Sequence, residues 1–230
     1  MIRKSANRFS EEIMLSPERL EAVPKLFHLR CSPRDGSESS AGAEAFVTRF
    51  RQARPDWDVD VMDIWRETLP EFRGDALEAK YARLGGRGFS DAQRDAFAGI
   101  ERMAARLAQA DRVLMSTPMW NFGIPYKLKQ WFDLIVQPGI TFRFDANKGY
   151  LPLLKDRPTV VILASGSDFV TGMNRGRIDM ASPYLREILR FIGITDVRFA
   201  LIGPTAGPAE PARSAREAAH RRLADWAASF

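Results

Sequence analysis

Residues 118–122, Pro-Met-Trp-Asn-Phe, set a carboxamide between two large aromatics just behind a short apolar run, Val113-Leu114-Met115. That run, bounded by polar residues, has the character of a buried parallel strand, and Pro118 stops it. Ile124-Pro125 restarts the chain, and Leu128, Trp131, Phe132 and Ile135 then recur at helical spacing. Strand, aromatic loop and helix in that order put the loop at the strand's carboxyl end, where open α/β sheets bind ligands. Pro118, Met119, Trp120, Asn121 and Phe122 suit a flat heteroaromatic ring there. Side chains cover its face, while Asn121 and main-chain amides meet its polar edge. Core packing around a turn is the competing reading, and for Trp131 and Phe132 it is the better one.

Two further loops carry polar groups of the right kind. Lys25–Arg30 reads as a strand, followed by Cys31-Ser32-Pro33-Arg34-Asp35-Gly36-Ser37-Glu38-Ser39-Ser40 and a helix bearing Ala43, Phe46, Val47 and Phe50. Hydroxyls at a helix mouth, with the helix's own free N–H groups and dipole, favour a phosphate. Arg34 adds a charge-assisted contact. A capped surface turn is the plain alternative. Thr159–Ala164 is another strand, delivering Ser165-Gly166-Ser167-Asp168, where small residues let main chain approach a ligand closely.

Other chemistries find little support. His28 lies on the first strand, facing the helix layer, and His220 sits among arginines on what reads as solvated surface. Neither has a metal-ligand partner at useful spacing. There is no Gly-x-Ser-x-Gly elbow. Gly85-Gly86-Arg87-Gly88 lacks the preceding strand of a dinucleotide fingerprint and reads as a hinge between helices.

The elements that must position these loops are five strands: 25–30, 58–64, the run ending at Pro118, 159–164 and 197–202. They alternate with helices over 76–84, 90–110, the stretch after Pro125, 179–193 and 210–228. This alternation predicts an α/β fold with a parallel sheet covered on both faces. Residues 139–154 form a long excursion without clear periodicity. Phe142 and Phe144, flanking Arg143, line a pocket or subunit interface there, or simply pack.

With 45% hydrophobic and 27% charged residues, the chain has an ordinary globular composition. No apolar run approaches the ~20 residues needed to span a bilayer, so no membrane insertion is expected. Residues 1–24 form a polar extension without a secretory apolar core, in which Ser16-Pro17-Glu18 caps a brief helix. The single cysteine, Cys31, fits a reducing cytoplasm. A net charge of +5, spread without a basic tract, favours small anions over nucleic acid.

P-M-W-N-F-G-I-P followed by L-K-Q-W-F-D resembles the flavin loop of FMN-dependent NADH-azoreductases and related quinone reductases. D-I-W-R-E-T-L-P-E-F at 63–72, G-I-T-F-R-F at 139–144 and F-I-G-I-T-D-V at 191–197 extend the likeness over most of residues 25–203. The resemblance implies a flavodoxin-like, doubly wound five-stranded sheet of order 2-1-3-4-5 over residues 25–230. It implies FMN, with its phosphate in the serine loop at Ser32, Ser37 and Ser39. Glu38 departs from the pattern: its carboxylate must turn outward, although its main-chain N–H still serves. Gly166-Ser167-Asp168 replaces the family's Arg-Gly-Gly-like loop, leaving the main-chain contacts. A homodimer is implied as well. The expected activity is NAD(P)H oxidation with reduction of a small quinone or azo acceptor, by ping-pong hydride transfer through the flavin. Hydride transfer requires no side-chain acid or base, so no catalytic residue is assigned. A flavodoxin-like electron carrier with a protein redox partner is the alternative. Such carriers tend to be smaller and acidic.

Overall fold

The computed structural model describes residues 23–171, 176–206 and 209–230. Most of the 1–24 extension, including the helix expected at Ser16-Pro17-Glu18, lies outside them. The main sheet is formed by β1 (Lys25–Arg30), β2 (Asp58–Asp63), β3 (Arg112–Pro118), β6 (Thr159–Ala164) and β7 (Val197–Ile202). Every pairing is parallel and the order is β2-β1-β3-β6-β7. Counting only these strands, that is 2-1-3-4-5, as expected.

Six helices cover the sheet among the described residues: α1 (Glu38–Ala53), α2 (Asp75–Leu84), α3 (Asp91–Gln109), α4 (Tyr126–Ile135), α5 (Ala181–Ile192) and α6 (Ala209–Ser229). Side chains alternate across a strand, so each strand feeds both faces. Phe27, Leu29, Val113, Met115 and Val161 meet Ile100, Trp131, Phe132 and Leu189 of α3, α4 and α5 on one side. Leu26, Leu114, Val160 and Ile162 meet Phe46 and Phe50 of α1 and Leu223 of α6 on the other.

Helix ends follow local chemistry. Ser90 and Gln93 close a reciprocal capping box on α3. Asp179 Oδ1 accepts the N–H groups of Ala181 and Ser182 at the mouth of α5. Gly193 ends that helix at φ 110°, and a Cβ there would lie 2.4 Å from the Leu154 carbonyl oxygen. Only glycine fits.

The 139–154 excursion is ordered, contrary to its lack of periodicity. β4 (Phe142–Asp145) and β5 (Gly149–Pro152) pair as an antiparallel hairpin. With four residues a strand, too few alternations exist to read. Phe142 and Tyr150 lie against Phe191 of α5, whereas Phe144 is exposed. His220 is half-buried, not solvated surface. None of the helices among the described residues is long and apolar enough to cross a membrane.

Candidate functional site

Parallel strands in register end together, and here that alignment builds a cavity. Cys31 N–H donates to the Ser116 carbonyl at 2.8 Å, tying the end of β1 to β3. Met119 N–H donates to Ala164 at 2.7 Å and Ser165 N–H to Ile202 at 2.9 Å. The segments following β1, β3, β6 and β7 therefore meet at one sheet edge.

The cavity there measures about 290 Å³. Its floor is the mouth of α1, with Ser32, Arg34, Ser37, Glu38 and Ser39. Pro118, Met119 and Trp120 form one wall, and Gly166 stands opposite. Pro33, Ala164 and Thr205 also line it. Thr205 went unread in the sequence, although the rule that ligands bind beyond strand carboxyl ends applies to β7 too.

At the floor, Ser37 is the N-cap of α1: its Oγ accepts the Ser40 N–H at 3.1 Å and donates to Ser40 Oγ at 2.8 Å. Ser39 is wholly buried, its Oγ 3.4 Å from that of Ser37. Ala41 N–H takes the Ser37 carbonyl. The N–H groups of Glu38 and Ser39, in the first turn, have no intrahelical acceptor, and the helix dipole adds positive potential. Glu38 turns its carboxylate to the last helix, where Arg216 Nη1 donates to Oε1 at 2.8 Å.

The wall is a tight turn. Trp120 and Gly123 exchange both main-chain hydrogen bonds, at 3.0 and 2.9 Å. Asn121 and Phe122 between them have φ of 49° and 70°, a left-handed pair that is uncommon for Asn and a true outlier for Phe. The Phe122 carbonyl accepts Met180 N–H at 3.0 Å, holding the turn. Trp120 stacks at a tilt on Trp65, 5.7 Å between centroids, and Trp65 donates its indole N–H to the Cys31 carbonyl at 3.0 Å. Tyr126 meets Trp65 edge-on at 5.3 Å. Trp65 and Tyr126 were not singled out in the sequence.

Several expected side chains stand outside the cavity lining. Asn121 and Phe122 are exposed at the tip of the turn. Ser165 Oγ donates to the Ser167 carbonyl at 2.7 Å. Asp168 accepts Val170 N–H, Thr171 N–H and the Thr171 hydroxyl within its own loop. The Thr171 hydroxyl first, and then its N–H, hold the Asp168 carboxyl below its usual range. The loop presents main chain, and Gly203 lets it sit close: a Cβ there would lie 2.8 Å from both Ser165 Oγ and the Ser167 oxygen.

Nucleophiles and metals are not offered. Complete burial, then the Asp63 carboxylate, pushes the Cys31 thiol well up. No metal-holding group of His, Cys, Asp or Glu occurs among the described residues.

Comparison with known proteins agrees with this geometry. Residues 24–227 match the family described as having a flavodoxin-like fold. FMN-dependent NADH:quinone oxidoreductase 1 of Bradyrhizobium diazoefficiens is 72% identical over 208 residues, covering 90% of this chain and 100% of that protein. FMN-dependent NADH:quinone oxidoreductase of Nitratidesulfovibrio vulgaris is 38% identical, over 89% and 99%. An azoreductase structure from Bacillus anthracis superposes with a TM-score of 0.80 at 23% identity, over 90% and 100%, a likeness of fold. The chain thus belongs to the flavodoxin-like family that includes the FMN-dependent NADH:quinone oxidoreductases.

Proposed function

We propose that this protein is an FMN-dependent NAD(P)H oxidoreductase that reduces quinones or azo compounds. The observation that carries the reading is the single cavity in which an anion-binding helix mouth faces an aromatic wall. Its donor set fits a terminal phosphate: two first-turn N–H groups, the Ser32 and Ser39 hydroxyls, the positive helix end and exposed Arg34. Trp120 would cover a planar ring, and Gly166, without a side chain, would let main chain reach the ring's polar edge.

When bound, FMN supplies the hydride chemistry, taking it from a nicotinamide and giving it to a flat acceptor. The chain holds and orients. Met119 and Trp120 would hold the flavin ring, and the Asn121 carboxamide, just beyond the lining, would favour negative charge on it. No side chain is asked to move a proton.

We assign the phosphate to Ser32, Arg34, Ser37, Glu38 N–H and Ser39, and the ring to 118–122 and 165–168. Residues 25–230 act as one domain. A homodimer fits the exposed apolar residues beside the mouth, Trp120, Phe122, Tyr126 and Met180. A cytoplasmic location fits the buried free thiol of Cys31.

Cofactor released by heating should run as FMN, and the protein should oxidise NADH rapidly with a quinone. FAD, or no flavin after reconstitution, overturns the reading. Flavin that NADH reduces only through a second protein supports the carrier instead.

A further inference from the structure

Glu38 is the one carboxylate lining the cavity among the described residues. It stands at the first position of α1, beside the serines that would cradle a phosphate. Left alone, it would repel a phosphate at close range, because like charges near a partly buried surface are only partly screened. It is not left alone. Arg216, 178 positions later on α6, donates from Nη1 to Glu38 Oε1 at 2.8 Å. The Glu38 side chain is 18% exposed and that of Arg216 is 35% exposed, so water screens the pair only in part.

We infer that Arg216 is a positioning residue for the cofactor phosphate: it acts through Glu38, turning and neutralising a carboxylate that would otherwise exclude the anion. The inference rests on the phosphate assignment made above. With Arg216 in place, Arg34, Arg216 and the helix end outweigh the single carboxylate. Without it, Arg34 and Glu38 cancel, and the carboxylate is free to swing toward the bound anion. The last helix thereby strengthens the selectivity for phosphorylated over unphosphorylated flavin, although it contributes no lining residue of its own among those described.

Flavin-fluorescence titrations with FMN and riboflavin test this directly, without any turnover. Arg216→Gln should weaken FMN about tenfold, which is ~1.4 kcal/mol, and riboflavin less than about twofold. Glu38→Gln placed in the same chain should restore FMN to within about threefold of wild type, because the offending charge is gone. Glu38→Gln alone should bind FMN at least as well as wild type. An unchanged FMN-to-riboflavin ratio in Arg216→Gln overturns the inference, as does failure of the double variant to recover. Equal loss of both ligands would mean that Arg216 merely holds α6 on α1, and overturns it too. Wild-type protein that binds riboflavin as tightly as FMN removes the phosphate seat itself, a failure visible before any variant is made.

Discussion

At the amino ends of the central strands, polar side chains bond main chain; at the carboxyl ends, main chain faces a cavity. Arg157, just before β6, is 6% exposed. It donates to the carbonyls of Leu107, Ala108 and Ala110, at 2.6, 3.0 and 2.6 Å, and so closes the end of α3. Asp156 beside it takes the N–H groups of Thr195 and Asp196, and Asp111 takes that of Lys25. At the opposite edge, Arg34 and Asn121 are exposed, and the first-turn N–H groups of α1 open into a cavity. One edge is largely bonded within the chain, and the other opens on a cavity. The same residue types do opposite jobs because only one edge gathers loops that leave room for a ligand.

The contrast is sharpest where it should cost most to break. Arg157→Met should destabilise the protein by about 4 kcal/mol, because several buried carbonyls lose their donor together. Thermal melts would register the loss, while the folded remainder should keep the wild-type ratio of FMN to riboflavin affinity. A stable variant, or one with altered flavin selectivity, would erase the distinction between the edges.

Between the two edges lies His28, 6% exposed, with Nε2 3.0 Å from Ser116 Oγ. Burial first, and then the charge of Arg30, hold its pKa at about 4, against 6.5 ordinarily. The unfolded chain therefore binds the proton that the folded chain refuses. Stability is complete above pH 6.5 and is lost as pH falls toward 4, at up to ~1.4 kcal/mol per pH unit. Denaturant midpoints of wild type and His28→Gln should converge across that window. Parallel curves would contradict the assignment.

The smallest effect on stability belongs to the open edge. Asn121→Ala leaves a Cβ at φ 49° without the side-chain amide, costing about 1 kcal/mol. Asn121→Gly should be nearly neutral. Both should slow flavin reduction by NAD(P)H and lower the flavin potential if the carboxamide acts on the cofactor. Stopped-flow traces at the wild-type rate in both variants would reduce Asn121 to a turn residue.

The same division governed what could be read from the sequence. Strand runs such as Thr159–Ala164 and their alternation with helical stretches are local patterns, and they carried the α/β fold. Side-chain destinations are not local. Nothing near Glu38 announces Arg216, and nothing near Arg157 announces the end of α3. Nothing near Asp168 in the sequence announces that its carboxylate bonds Val170 and Thr171 of its own loop. The β4–β5 hairpin escaped because four-residue strands are too short for a period to emerge.

Synthesis order gives the α1–α6 pairing another meaning. Phe46 and Phe50 leave the ribosome long before Leu223 and Ala227, with which they share a core. At ~5–20 residues per second, the apolar face of α1 waits on the order of ten seconds or more for its cover. During that interval the strands already made cover part of the face, and the share that α6 buries stays open to solvent, a natural target for chaperone capture.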